Sequence, residues 1–244
     1  MLKKFALKYL LSVGRELADK RENAVLSMME GEKRKKFLDL GCGDGVLTLR
    51  RAQAVGSQEI YGFDILDSEI RKARKNGIVM KKGDLNGKLP YKNNEFDAIA
   101  ATQVIEHLLD TDLFVSEVYR ILKKGGIFVI STENLASWHN VFALLLGMQP
   151  STGPWISRRF SIGFHPLYEE HIKEYEVKPF LGEMIGHTNV IAYNSFKQLF
   201  KKYKFKLLDE RAVGYYPFPS SLADFFSRID KWHAVDMVLK LQKK

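Results

Sequence analysis

The sequence predicts an α/β fold built on a doubly wound sheet of seven strands, and three observations lead there. From residue 36 onward, short apolar runs alternate with amphipathic helical patterns, the arrangement of a parallel sheet with helices on both faces. Glycines cluster between the first such strand and the helix after it, in FLDLGCGDGVLTL (37–49). Two further runs, FKLLDERAVGYY (205–216) and HAVDMVLKLQK (233–243), finish the chain as a hairpin-like pair.

The elements follow in order. In MLKKFALKYLLSV, Leu2, Phe5, Ala6, Tyr9, Leu10 and Val13 share one side, with Lys3, Lys4 and Lys8 largely off it. Residues 1–30 are therefore expected to be a helical extension, docked on its own domain or resting peripherally on a membrane. Strands are expected at 36–40, 59–65, 78–84, 96–101 and 126–132, with helices near 45–55, 67–75 and 110–123. In the last helix Phe114, Val118, Ile121 and Leu122 share a face, and Lys123-Lys124-Gly125-Gly126 should close it with cations and a glycine C-cap. A helical run over 134–148 places Trp138, Phe142, Leu145 and Leu146 together, and Gly147 and Pro150 end it. Residues 149–190 are irregular and rich in Pro, Gly, His and aromatics. Regular structure resumes at 195–205, where Ser195 and Gln198 read as a capping box and Phe196, Leu199, Phe200 and Tyr203 as the buried stripe. A helix near 220–230 joins the last two strands. The expected organisation is thus an extension over 1–30 and one domain over 31–244, with a substrate-covering insertion at about 134–190.

Composition narrows the function classes. The chain has 244 residues, 45% of them hydrophobic and 27% charged, enough for a sizeable core. No apolar run reaches the roughly 18 residues of a membrane span, and no secretory leader is evident. The single cysteine, Cys42, suits a reducing compartment, so a cytoplasmic protein is expected. The net charge of +9 is uneven. Residues 1–36 carry ten Lys/Arg against five Asp/Glu and residues 191–244 eleven against five, while 37–190 carry seventeen against nineteen. A polyanion groove around the glycine turn is disfavoured, so a nucleic-acid partner ranks below a small-molecule acceptor.

The glycine turn decides the ligand. A dinucleotide turn reads G-x-G-x-x-G and holds a pyrophosphate at a helix N-terminus. Here Gly41-Cys42-Gly43-Asp44-Gly45 follows Asp39, and carboxylates flanking the loop repel a pyrophosphate. The P-loop pattern is absent. Asp64 ends the second strand, where a carboxylate can accept both ribose hydroxyls, with Ile65 beside it. Asp84 ends the third, placed to accept from an adenine amino group, with Leu85 against the ring. S-adenosylmethionine (SAM), a sulfonium with an α-ammonium and a ribose diol but no phosphate, fits this set.

These stretches, with YGFDI, GDLNGKLPYKNNEFDAIAATQVIEHLLD and VSEVYRILKKGGIFVIST, make the chain resemble the class I SAM-dependent methyltransferases over about 100 contiguous residues. The resemblance implies a Rossmann-like sheet in the order 3-2-1-4-5-7-6, with strand 7 antiparallel and the cofactor at the C-terminal strand edges. Asp39, Gly41, Cys42, Gly43, Asp64, Ile65, Asp84, Leu85 and Gln103 are the expected cofactor-binding residues.

The chemistry is expected in ATQVIEHLLD (101–110), where Glu106 and His107 are adjacent ionisable groups. In one reading His107 is a general base for a hydroxyl acceptor. A second comes from resemblance to small-RNA 2′-O-methyltransferases and quinone-biosynthesis O-methyltransferases, which carry Glu-x-x-Glu-His and a later His. It would have Glu106, His107 and His187 hold a divalent metal. Gln103 stands where the first Glu would be, and a hard divalent ion prefers more carboxylate, so no metal is favoured. In a third, Glu106 and His107 only shape the turn. The Asn/Asp-Pro-Pro-aromatic strand end of amino-group methylases is replaced by Ala-Thr-Gln-Val, which leaves O- or C-methylation. Trp138 and His139 are candidate substrate contacts, as are His187 and, in the insertion, Trp155, Arg158, Arg159, Phe164, His165, Tyr168 and His171. The acceptor is read as a small molecule, lipid- or glycan-linked, the latter also suggested by a short likeness of NLASWHN…LLLG to methyltransferases of surface-polysaccharide assembly. RNA 2′-O-methylation and a SAM-binding adaptor without turnover are the alternatives.

Overall fold

The computed structural model describes residues 2–157, 162–164 and 186–244. Arg158, Arg159, His165, Tyr168 and His171 lie outside the described residues, as do the stretches 158–161 and 165–185 of the expected insertion.

A long helix α1 (Leu2–Met29) leads into alternating β1 (Lys36–Leu40), α2 (Val46–Val55), β2 (Glu59–Asp64), α3 (Asp67–Lys75) and β3 (Val79–Lys82). Then come β4 (Phe96–Thr102), a single 3-10 turn at Ile105–His107, α4 (Thr111–Ile121), β5 (Leu122–Glu133) and α5 (Trp138–Leu145). Beyond the insertion follow α6 (Tyr193–Lys202), β6 (Phe205–Val213), α7 (Ser220–Ile229) and β7 (Asp236–Lys243). The seven strands form one sheet in the order β3-β2-β1-β4-β5-β7-β6. All neighbours run parallel except β7, which pairs antiparallel with both β5 and β6. The expected sheet is the observed one.

Alternation along the strands sorts side chains to two buried faces. Leu38, Leu40, Ile99 and Phe128 join α4 (Phe114, Val118) and α6 (Phe196, Phe200) in one core. Phe37, Ala98, Ala100 and Val129 join α2 (Ala52, Val55) and the end of α1 (Val25, Met28, Met29) in the other. Asp39 follows Leu38 and so falls on the α1/α2 side. That placement governs its role.

Helix α1 docks on its own domain through Val25, Met28 and Met29, and through a Lys20–Asp224 pair at 2.5 Å. Its first turns are less covered, with Phe5 73% exposed. Among the described residues, no helix is long and apolar enough to cross a membrane.

Three local expectations fail for identifiable reasons. Helix α4 stops at Ile121, because Leu122 is already extended (φ −75°, ψ 136°) and opens β5. The Lys-Lys-Gly-Gly run therefore lies within the strand, where Lys123 pairs with Asp97 at 2.8 Å. Helix α6 starts at Tyr193, two residues early, so Ser195 is inside the first turn and caps nothing; the Tyr193 N–H instead donates to Asn134 Oδ1 at 3.2 Å. Helix α5 is shorter than its pattern, and its apolar face stays open, with Phe142 57% and Leu146 70% exposed.

Candidate active site

The turn after β1 carries three glycines with positive φ: Gly41 (71°), Gly43 (54°) and Gly45 (82°). A Cβ at Gly41 would lie 2.6 Å from Val104 Cγ2, and one at Gly45 would lie 2.3 Å from Ile78 Cδ1. These two let the loop pack close beneath. Gly43 differs, since a Cβ there meets nothing within 4 Å, so its backbone faces open space. Its N–H donates to Asp64 Oδ2 at 2.9 Å, and the Leu66 N–H donates to Asp64 Oδ1 at 3.0 Å. Each carboxylate oxygen keeps further acceptor capacity beside the half-exposed Ile65. Asp84 is exposed; its Oδ1 accepts from the Asn86 backbone at 2.8 Å and side chain at 3.0 Å. Asn86 Oδ1 in turn accepts from the Leu109 N–H at 2.6 Å, tying this turn to the segment after His107. Leu85 is half-buried against the core.

Two expected contacts do not reach the open side. Asp39 is fully buried; its Oδ2 accepts from Thr48 Oγ1 at 2.7 Å and from Arg51 Nη1 at 2.9 Å. Arg51 also grips Glu22 of α1 bidentately, at 2.9 and 2.6 Å. Asp39 thus anchors the loop from below, and its charge is matched by Arg51. The Cys42 side chain is likewise turned inward, 3.6 Å from Met80 Sδ among Ile70, Ala73 and Ile78. Burial pushes that thiol up, so Cys42 is a packing residue.

Gln103 leaves β4 in the left-handed region (φ 54°), an uncommon and strained conformation for a residue with a side chain. Its N–H donates to Ser131 O at 3.0 Å, while its Nε2 is buried without a hydrogen-bond partner. Beyond it, Glu106 is buried; Oε2 accepts from Thr132 Oγ1 at 2.9 Å and Oε1 has no partner. Burial, reinforced by Glu133, pushes the Glu106 carboxyl up to about 7. The chain returning from the insertion clasps this turn: the Thr188 N–H donates to Glu106 O at 2.7 Å, and Thr188 Oγ1 donates to Leu108 O at 3.1 Å. That clasp delivers His187 edge-on to His107, with ring centroids 4.8 Å apart. One ligand atom from each of Glu106, His107 and His187 lies within 4.8 Å of the others. Behind them, His187 Nδ1 is 2.7 Å from Thr152 O and 3.2 Å from Glu133 Oε2, and its ring stacks on Trp155. Burial opposes a charge on His187, but the bond and attraction to Glu133 prevail and push it up to about 9.

The family model described as "Methyltransferase domain" matches residues 31–151. The chain belongs to the class I SAM-dependent methyltransferases. Among curated relatives, it is 29% identical to the ubiquinone biosynthesis O-methyltransferase of Pelagibacter ubique over 146 residues, 58% of this chain and 57% of that one. It is 30% identical to the demethylmenaquinone methyltransferase of Streptomyces avermitilis over 129 residues, 53% and 54% of the two chains. The match therefore spans a little over half the length of these relatives. Among solved structures, an S-adenosylmethionine-dependent methyltransferase from Mesorhizobium loti superposes with a TM-score of 0.58 at 19% identity, over 89% of this chain and 95% of that one, which speaks for the fold.

SAM is the cofactor this family implies, and the donor set of this chain fits it. Asp64 presents acceptors for a ribose diol, and Gly43 offers close backbone approach. Gln103 holds an amide donor with nothing to bond. The other expected residues divide. Trp138 stacks on His233 and donates to Asp230 at 3.1 Å, leaving the Glu106 cluster to others. His139 is half-buried with its Nδ1 shielded, and burial lowers its ring to about 4, so it is neutral near pH 7. Sequence reasoning passed over Arg51, Thr132, Glu133 and Thr152. Only Glu133 carried a signal, as the carboxylate ending β5, one strand over from Gln103.

Proposed function

We propose that the protein transfers the methyl group of SAM to a hydroxyl of a small-molecule acceptor. The observation that carries this is the gathering of Glu106, His107 and His187 at the C-terminal end of β4, next to the strained Gln103. When bound, SAM supplies a methyl carbon already activated by its sulfonium, so the protein has to align the acceptor and take up a proton. Asp64 holds the ribose and Gln103 fixes the methionine end. His107 faces the acceptor as the proton-accepting group, and Glu106 and His187 set the field around it. Similarity to a ubiquinone biosynthesis O-methyltransferase makes phenolic hydroxyls the first acceptors to test.

A second reading rests on the unpartnered Glu106 Oε1 and the two nearby imidazoles. Two nitrogens and one carboxylate oxygen suit a borderline-soft divalent ion better than a hard one. Thr152 O and Glu133 beside His187 Nδ1 form the orienting layer such ligands use, leaving Nε2 for the ion. Such an ion would lower the acceptor hydroxyl's pKa.

The test is transfer of labelled methyl from SAM to phenolic diols, with and without chelator, beside calorimetry with S-adenosylhomocysteine. Asp64→Ala should lose at least tenfold in S-adenosylhomocysteine affinity. His107→Ala should keep that affinity and lose on the order of 10²–10⁴ in kcat. Transfer to amines alone, or an unimpaired His107→Ala enzyme, refutes the hydroxyl reading; loss of turnover on chelation selects the metal form.

A further inference from the structure

Glu133 and Thr152, the two residues that hold His187 Nδ1, also line a cavity of about 890 Å³ between α1, α5 and the β6–α7 turn. Its volume is near the upper end of small-ligand pockets, far more than a small polar acceptor needs. Its walls are apolar: Leu10 and Leu17 from α1, Phe142 and Leu146 from α5, and Phe218 and Phe226 on the far side. Leu145, at the end of α5, is 75% exposed and continues that apolar character to solvent. Gly14 lines the cavity from inside α1, where glycine is unfavourable by about 0.5–1 kcal/mol against alanine. A Cβ there meets nothing within 4 Å, so the helix wall is left open at that point.

Among the described lining residues, the charged ones, Arg21, Glu133 and Asp236, stand together with His139 at one end, and Gln149, Ser151 and Thr152 add neutral polar groups. Arg21 is matched by Asp236 at 3.1 Å, and the nearby His187 by Glu133 at 3.2 Å. Among the described lining residues, no cation is therefore left over for an anionic head. Asp236 Oδ1 and His139 Nδ1 are buried without hydrogen-bond partners, so this end has unspent capacity for a hydroxyl.

We infer that this cavity is the acceptor chamber and takes an elongated amphiphile, with a neutral hydroxyl-bearing head at the Arg21–Glu133–His139–Asp236 end and an apolar chain running out between α1 and α5. The same arrangement discriminates against phosphate- and carboxylate-headed chains, which would meet two carboxylates whose cations are already engaged. As an acceptor chamber the cavity rests on the methyl-transfer reading; as a binding site it does not.

The test is calorimetric titration of the full chain with 4-dodecylresorcinol, resorcinol and dodecyl phosphate, each below its micelle concentration, with S-adenosylhomocysteine binding as a control of folding. The expected result is that 4-dodecylresorcinol binds at least tenfold tighter than either of the others. Gly14→Phe, which fills the chamber from the helix wall, should weaken it at least tenfold and leave S-adenosylhomocysteine affinity unchanged. Equal binding of dodecyl phosphate, no gain from the chain, or an indifferent Gly14→Phe protein overturns the inference. Normal binding of 4-dodecylresorcinol that never receives labelled methyl in any acceptor series leaves the chamber standing and refutes the methyl-transfer reading instead.

Discussion

Arg51→Leu is the perturbation that most directly separates a structural carboxylate at the glycine turn from a ligand-binding one. Arg51 is 3% exposed and makes three hydrogen bonds, two to Glu22 of α1 and one to Asp39 of β1. Removing it leaves Asp39, fully buried, with Thr48 as its remaining donor, and strands Glu22 against α2. Breaking a buried pair by deleting one partner costs about 3–5 kcal/mol, because the surviving charge is neither solvated nor compensated. Burial already raises the Asp39 carboxyl even with Arg51 lowering it; without the cation it rises further. A carboxyl raised above its unfolded value has its full stability at low pH and loses it as pH climbs through the folded value. The deficit of Arg51→Leu relative to the native protein should therefore grow from pH 4 to pH 8. Urea denaturation of both proteins across that range measures it. The combined variant Glu22→Met, Asp39→Asn, Arg51→Leu removes all three charges and should recover most of the loss. A single-variant cost under about 1 kcal/mol, or a deficit that shrinks with rising pH, would refute the reasoning.

Two further expectations concern packing around the same frame. Gly45→Ala forces a Cβ to within 2.3 Å of Ile78 Cδ1 and 3.1 Å of Ala73 Cβ, inside ordinary van der Waals contact, at φ 82°. It should cost about 1–3 kcal/mol in urea denaturation, from overpacking and the left-handed backbone together. Asn134→Ala deletes a buried hub: Nδ2 donates to Trp232 O and Ala234 O, both at 2.8 Å, and Oδ1 accepts from Ala136 and Tyr193 at 3.0 and 3.2 Å. With up to four buried groups left unpaired, at about 1–3 kcal/mol each before relaxation, a loss of at least about 3 kcal/mol is expected, read as a lowered urea midpoint.

What was legible in the sequence was periodicity and punctuation. The strand KFLDL and the helix 67–75 sit where the pattern puts them, because an apolar run between turn residues has one way to bury itself in a parallel sheet. The boundaries that failed were those set by partners distant in the chain. Asn134 supplies the acceptor that starts α6 at Tyr193, and no local signal near Ser195 announces it. Asp39 illustrates the same limit at the site. Its position at the end of β1 is readable, but its role depends on which sheet face it lands on and on Arg51 twelve residues later. The inference from three carboxylates thus loses one member, and the cofactor argument rests on Asp64, Gly43 and the unpaired Gln103 amide. His187 was legible only through the resemblance to methyltransferases that carry a later histidine. Its approach to His107 depends on Thr188 and Asn189 bonding the Glu106 carbonyl, a contact across more than eighty residues.

The neighbours Arg21 and Glu22 in α1 tie these observations together. Arg21 turns to Asp236 at the polar end of the chamber, and Glu22 turns to Arg51 beneath the glycine loop. Two successive helical residues point about 100° apart, so one turn of α1 touches the polar end of the proposed chamber and the underside of the glycine loop at once. An element joined by charge to both cannot shift at one without disturbing the other, since each ion pair is buried enough that its loss leaves an unpaired charge. The extension over 1–30 is in that sense part of the site's wall. A protein cut after residue 30 should lose 4-dodecylresorcinol binding and S-adenosylhomocysteine binding together, whereas a merely covering helix would leave the second intact.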